Sequence, residues 1–334
     1  MSVFSKKSNE TILVADVGGT NARLAVAHLV SEQTASAPEL APTLSDFKSF
    51  PCADFHTLED VLALYLADLK VATPPNACLA VAGPISGDTA HLTNLGWHPQ
   101  SQTIATRFGF NAVDLVNDFA ALARSTTVLG TEDLLELRRG DPAKGGPVSV
   151  MGPGTGFGLA LLVPHKNGCS IVSGEGGHIG LVPCGDLETQ VWTALQKNMG
   201  RVTVETLLSG VGLMRIYREL CHLKKISPLN YDPRTISYQA LDNGDEICLQ
   251  TLDLFCSILG SVVGDIVLSQ GATGGVFLGG GILPKISEFL VRSKFVERFL
   301  DKPPMQDFVA KAPVHLITAP DAALKGAALL FKER

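Results

Sequence analysis

The sequence predicts an α/β protein of two domains. Three observations carry that prediction. Apolar strand-like runs alternate with helical patterns, and the alternation runs twice along the chain. A glycine-threonine turn between apolar runs occurs once in each half. A length of 334 residues with 46% hydrophobic content is ample for two cores.

Residues 11–15 and 24–28 are apolar and read as the first two strands, with residues 47–50 a candidate third. Residues 57–69 place Val61, Leu62, Leu64, Tyr65, Leu66 and Leu69 at helical spacing. Glu59 and Asp60 fall in the first turn, where the helix dipole favours acids. Residues 78–82 read as a buried strand stopped by Gly83-Pro84. Leu115-Val116 lead into Asn117-Asp118, and good helix formers follow from Phe119 to Arg124. Residues 129–147 are polar and hold Gly140-Asp141-Pro142 and Gly145-Gly146, the best linker candidate. Helices are expected over 187–199, 204–209, 212–223 and 245–270. A last strand, 314–318, runs into an alanine-rich helix, 321–332.

The most informative segment is Ala15-Asp16-Val17-Gly18-Gly19-Thr20-Asn21. Gly18 and Gly19 let backbone N–H groups approach an anion with no Cβ in the way. Thr20 and Asn21 add short polar side chains that suit phosphate oxygens. Asp16 sits where the strand ends, a place to orient a hydrated Mg²⁺, which keeps most of its waters. A plain glycine-turned hairpin explains the same residues. A second copy weighs against that: Gly154-Thr155-Gly156 follows at an interval of 135 residues. In a gapless alignment Gly19, Thr20, Leu24 and Ala25 fall on Gly154, Thr155, Leu159 and Ala160, and Met151 takes the Asp16 position. The match suggests a duplicated unit with one metal-orienting acid.

Other classes are disfavoured. Net charge is −6 with no basic stripe, which speaks against nucleic acid. Seven cysteines without a CxxC pair fit free thiols in a reducing compartment. The first ten residues are polar and have no secretory pattern. Residues 266–284 are uncharged and reach membrane-span length, and Gly260 and Gly264 match the membrane GxxxG pattern. Six glycines in that run favour a buried helix ending near Gly271, a turn and a strand at 276–278 over a membrane span. There is no GxxxxGK[ST], no GxGxxG and no GxSxG.

Together with Leu115-Val116-Asn117-Asp118-Phe119, Gly174-Glu175-Gly176-Gly177-His178, Val204-Glu205-Thr206-Leu207 and Gly279-Gly280-Gly281, the hairpin resembles the pattern of the bacterial glucokinase family. The resemblance runs from about Thr11 to the end of the chain. It implies the duplicated ribonuclease-H-like fold of the hexokinase, actin and Hsp70 group, with two domains around a cleft. The smaller domain would be 1–128 plus 319–334 and the larger 129–318. It implies ATP and Mg²⁺, glucose as acceptor, a cytoplasmic enzyme and a homodimer, with no membrane or nucleic-acid partner. Asp118 would be the catalytic base. Asn117, Asp118, Glu175, His178, Glu205 and Asn94 would hold the sugar. Asp16, Gly18, Gly19, Thr20, Asn21, Gly154, Thr155, Gly156, Gly279, Gly280 and Gly281 would hold the nucleotide, with Asp16 reaching metal through water.

Three of these residues also have a simpler explanation. Asp118 suits a helix cap. His178 suits a structural histidine. Glu205 suits an ordinary first-turn acid. Zinc at Glu175 and His178 is disfavoured, because Cys169 and Cys184 have no partner at ligand spacing. The zinc loop of the related repressor/kinase (ROK) family has no counterpart in Ile179-Gly180-Leu181-Val182-Pro183-Cys184. A sugar-sensing regulator on the same fold is the non-enzyme alternative. Only about ten residues precede the first strand, too few for a DNA-binding module. An actin-like or chaperone-like ATPase would have no use for Glu175-Gly-Gly-His178. A hexose kinase of other sugar preference stays open, because related hexoses differ by single hydroxyls.

Overall fold

A computed structural model of the chain describes residues 10–29 and 40–332. The reading of the N-terminal nine residues lies outside them. Contacts divide the chain into two compact units, Met1–Asp133 with Ala319–Arg334, and Leu134–Thr318.

The first unit begins with β1 (Glu10–Val17), β2 (Asn21–Leu29) and β3 (Thr43–Pro51), an antiparallel meander. Helix α1 (Leu58–Ala67) follows, started by a capping box in which Asp60 N–H donates to Thr57 Oγ1 and Thr57 N–H to Asp60 Oδ2. Strand β4 (Asn76–Val81) then runs parallel to β1. A short ladder of β5 (Ile85–Ser86) and β6 (Thr89–Ala90) precedes α2 (Ser101–Phe108). Strand β7 (Ala112–Asn117) lies parallel to β4 and leads straight into α3 (Asp118–Ser125). The sheet order is β3-β2-β1-β4-β7. Both faces of β1 are covered, as its unbroken apolar run requires. Leu13, Ala15 and Val17 pack with Leu58, Leu62, Tyr65 and Ile104, while Ile12 and Val14 enter a separate core.

The second unit opens with β8 (Leu134–Arg138). It lies inside the segment expected to be a linker, and that expectation is corrected here. β8 pairs antiparallel with a strand near residue 315, and Arg138 donates two hydrogen bonds to the carbonyls of Ala310 and Ala312. Strands β9 (Val148–Pro153), β10 (Phe157–His165) and β11 (Gly168–Gly174) form a second antiparallel meander. Helices α4 (Asp186–Met199), α5 (Val204–Leu207), α6 (Gly210–Leu223), α7 (Pro233–Leu241) and α8 (Glu246–Gln270) follow. Then come β12 (Gly275–Leu278), α9 (Ser287–Arg292), α10 (Phe295–Leu300), α11 (Gln306–Val309) and β13 (Val314–Ile317). The sheet order is β11-β10-β9-β12-β13-β8, with β9, β12 and β13 parallel.

Among the described residues, α8 alone is long and apolar enough to cross a membrane, and 78% of its apolar window is buried inside the protein. Its GxxxG glycines serve packing within the unit. A Cβ at Gly260 would collide with the Phe295 carbonyl oxygen, and one at Gly264 would press on that of Phe299. Helices α8 and α10 therefore touch backbone to backbone. Arg298 on α10 adds bonds to Ser261 and an ion pair with Glu188, 3.2 Å. Gly271, in the left-handed conformation, closes α8 as the sequence predicts.

The chain ends in α12 (Ala322–Lys332), which belongs to the first unit. Leu324, Ala327 and Ala328 close its second core against Ile12, Val14, Ala25, Ala80 and Ala121. A Cβ at Gly326 would collide with the Ala121 carbonyl oxygen, so glycine sets the closest approach of α12 to α3.

Candidate functional site

In the first unit the Gly18–Thr20 turn joins β1 to β2. Gly18 N–H donates to the Asn21 carbonyl at 3.0 Å. Cys52 backs the turn: its N–H donates to Thr20 O at 2.9 Å and its thiol contacts Gly18 O at 3.5 Å. Burial pushes that thiol up to about 11, so it stays protonated and inert. Thr20 is exposed at the tip, and Asn21 Nδ2 donates to Thr20 Oγ1. Asp16 faces Arg23 across the hairpin, and Arg23 Nη1 donates to Asp16 Oδ2 at 3.0 Å. Burial raises the Asp16 pKa, and the Arg23 guanidinium opposes that rise.

Asp118 is the first residue of α3, directly after β7. The cap itself is Asn117, whose Oδ1 accepts from Ala120 N–H at 3.0 Å. Capping of α3 is thus carried by the neighbour, while Asp118 Oδ1 accepts from Phe119 N–H at 2.9 Å. Asn117 and Asp118 are both half-buried. Val17, Val81 and Asn117 stand in one register across β1, β4 and β7. Gly18 and Asp118 therefore leave the sheet at the same edge, two strand spacings or about 10 Å apart. That edge is the carboxyl end of the parallel strands, where α/β sheets bind ligands. Asn94 is exposed in the turn Thr93–Gly96, closed by Leu92 N–H donating to Trp97 O at 3.0 Å.

The second unit repeats this edge with different chemistry. Met151 and Leu278 pair across β9 and β12, and Leu278 with Leu316 on β13. The β9–β12 ladder ends at that pair, and Gly279 N–H donates to Met151 O at 2.9 Å just beyond it. The hairpin register also corrects the gapless alignment. Gly152 pairs with Gly158 one step from the closing pair, the place that Asp16 and Arg23 hold in the first hairpin. Gly152, not Met151, is thus the counterpart of Asp16. The second turn is one residue shorter. A Cβ at Gly152 would strike Gly279 O, and one at Gly280 would strike Pro153 O. Two glycine segments far apart in sequence therefore stack as bare backbone. Thr155 is exposed at the tip of the turn, and Gly154 O accepts from Gly210 N–H, the first residue of α6, at 3.0 Å.

Beside Gly281 lies a cavity of about 430 Å³, lined by Leu213, Pro233, Arg234, Ser237, Gly281, Ile282 and Lys285. Sequence reasoning found only Gly281 of these. Pro233, Arg234 and Ser237 lie on α7, an element the sequence reading did not anticipate, and no local motif marks them.

Glu205 Oε2 accepts from Phe157 N–H at 2.8 Å, at the start of β10. A Cβ at Gly177 would stand 3.2 Å from the same oxygen, and one at Gly156 would strike it. This carboxylate is thereby fastened between the second turn and the Gly176–His178 turn. Glu175 and His178 flank those glycines, both exposed, with His178 Nε2 4.0 Å from Glu175 Oε2. Ser209 Oγ donates to Glu205 O at 2.8 Å and accepts from Gly212 N–H, linking this acid to the α6 N-terminus. The second unit brings together Gly154, Gly156, Glu205, Glu175, His178 and Gly279–Gly281. The first brings together Asp16, Gly18, Gly19, Thr20, Asn21, Asn117 and Asp118.

A sequence model described as Glucokinase matches residues 13–334. A glucokinase of Saccharophagus degradans is 40% identical over 316 residues, 95% of this chain and 96% of that protein. The crystal structure of a glucokinase from an Antarctic psychrotroph superposes with a TM-score of 0.82 at 38% identity, covering 97% of this chain and 99% of that one. A ROK family glucokinase from Streptomyces griseus shares the fold, with a TM-score of 0.65 at 17% identity over 97% and 100% of the two chains. The two matched sheets are the halves of a duplicated ribonuclease-H-like, actin-like ATPase fold, and the chain belongs to the glucokinase family.

Proposed function

We propose that the protein transfers the γ-phosphoryl group of ATP to the 6-hydroxyl of D-glucose. The observation that carries this reading is the shared sheet edge in the first unit, where the backbone of a glycine turn suited to phosphate and that of Asp118 leave strand ends about 10 Å apart. Asp118 accepts the proton of the 6-hydroxyl as its oxygen attacks the γ-phosphorus, and the bond to the ADP oxygen breaks. Asn117, Asn94, Glu175, His178 and Glu205 bind sugar hydroxyls. Carboxylates accept from them, and amide and imidazole donate or accept. Gly18, Gly19, Thr20 and Asn21 bind the transferring phosphate, and Gly154, Thr155 and Gly156 the others. Gly279, Gly280 and Gly281 flank the adenosine, with the neighbouring cavity for the base.

A lone carboxylate at the strand end, held in place by Arg23, fits Mg²⁺ bound through its waters. Mg²⁺ supplies charge neutralisation on the phosphates when bound, and Asp16 orients its water shell. Seven free thiols support a cytoplasmic setting. The family resemblance supports a homodimer, which light scattering would test.

The test is glucose 6-phosphate formation from ATP and glucose, coupled to NADPH production. Turnover that requires both substrates and Mg²⁺ supports the proposal. Folded protein that binds glucose by calorimetry without turnover would replace it with the sensor reading. Faster turnover on another hexose would change the acceptor and leave the chemistry standing.

A further inference from the structure

Residues 89–100 form an antiparallel ladder in the first unit, outside its five-stranded sheet. Thr89 pairs with Gln100 and Leu92 with Trp97. That register sets His91 directly opposite His98. The backbone is pinned on both sides: Ala90 N–H donates to Pro99 O, His91 N–H to Pro84 O and Leu92 N–H to Trp97 O, at 2.9–3.0 Å. Strand alternation decides where the side chains go. Ala90, Leu92 and Trp97 are buried and enter the core, which turns His91 and His98 to the opposite face. There the Nδ1 atoms stand 3.1 Å apart, with ring centroids 5.2 Å apart and planes at 65°.

We propose that His91 and His98 chelate one borderline dication of the Zn²⁺ type at the neck of this turn. Neither residue has a part in the phosphoryl transfer described above. Two nitrogens each about 2.0–2.1 Å from a common ion stand about 2.9 Å apart at a right angle and about 3.4 Å apart at the tetrahedral angle. The separation of 3.1 Å falls between these values. The two nitrogens already stand at chelating distance, and the rings would turn so that both lone pairs meet at an ion beside the N–N line. In the metal-free pair one imidazole donates from Nδ1 and the other accepts. On binding, the donor carries its proton at Nε2 instead, so both Nδ1 lone pairs become ligands. Water completes the shell, because His98 is exposed and His91 is half-exposed. Imidazole suits Zn²⁺, Ni²⁺ and Cu²⁺, whereas Mg²⁺ prefers oxygen, so the Mg²⁺ of the phosphoryl transfer does not compete.

The metal staples the two strands that carry the Thr93–Gly96 turn and Asn94 within it. Its effect on glucose rests on the reading of Asn94 as a sugar-side residue. Equilibrium dialysis against Zn²⁺, with metal analysis, tests the site on the wild type, His91→Gln and His98→Gln. Both positions face solvent, and matched melting curves would confirm that the variants fold. The wild type is expected to hold one more Zn²⁺ per chain than either variant. Equal metal content in all three, or none in the wild type, overturns the proposal. Glucose KM with and without Zn²⁺ is the second arm. A shift in the wild type that is absent from His98→Gln supports the staple. Extra metal in the wild type without a KM shift overturns the role of Asn94 and leaves the metal site standing.

Discussion

The two glycine hairpins sit at the same place in sheets that share a five-strand order, to which the second sheet adds β8 at its edge, yet they differ at the cross-strand pair one step from the turn. In the first unit that pair is Asp16 and Arg23, and in the second it is Gly152 and Gly158. The first hairpin keeps a charged pair beside its turn. The second gives up side chains there, and the Gly279–Gly280 segment lies on it as bare backbone. Duplication therefore reproduced a scaffold and left different residues beside the turn. Under the proposed function the first copy would position charge at the transferring phosphate, and the second would hold the rest of the nucleotide against bare backbone. Neither role would demand a change in the shared strand order, because both would act through residues at the edge of the sheet.

The largest expected effect comes from removing the charge. Asp16→Asn should lower kcat by about 10²-fold, the range of a lost electrostatic or acid-base group. Steady-state kinetics at saturating ATP, Mg²⁺ and glucose would measure it. Near-normal turnover would mean that the first hairpin has no special charge role, and the contrast between the copies would collapse.

Glycine substitutions sharpen the same contrast in stability. Gly152→Ala drives a Cβ into the Gly279 carbonyl and should cost about 1–3 kcal/mol, the usual range for overpacking. Gly18→Ala meets only ordinary contact, 3.8 Å from Asn21 O, and should cost well under that. Urea unfolding of both variants would compare them directly. Gly326→Ala should also destabilise by about 1–3 kcal/mol, although alanine normally gains about 1 kcal/mol over glycine inside a helix. The sign reverses because α12 touches the backbone of α3.

The smallest effect is a pH dependence. Burial holds the folded Asp16 pKa above its unfolded value of 3.8, so its ionisation costs stability as pH rises through the folded value. Asp16→Asn should therefore be slightly more stable than the wild type at pH 7. The gap should close as pH falls towards and below 3.8. Arg23 is partly exposed and loses little with its partner gone. Thermal melts across that range would check the sign.

Features that depend on nearest neighbours were legible in the sequence. The glycine turns, the start of α3 after Asn117 and the end of α8 at Gly271 all rest on local turn and cap chemistry. The duplication was legible too, although a gapless alignment missed the residue by which the second turn is shorter. Long-range pairing was not legible. Strand β8 sits in a mostly polar stretch and gains its place by pairing with β13, which lies far along the chain, and by packing Leu135 and Leu137 against the core. Arg138 helps by reaching the Ala310 and Ala312 carbonyls. Glu205 reads locally as a first-turn acid, and only the fold brings its carboxylate to Phe157 N–H and Gly177. The Arg23 partner of Asp16 carried a usable signal, since a hairpin turning at residues 18–21 sets position 16 opposite 23. The cavity residues Arg234, Ser237 and Lys285 carried none, because α7 and the segment after Gly281 meet only in the folded unit.

The most direct measurement is the kcat of Asp118→Ala alongside its glucose affinity by calorimetry. A loss of about 10²-fold or more in kcat with glucose binding retained is expected for a base that acts in the transition state. Wild-type turnover in that variant would contradict the assignment of Asp118 as the base.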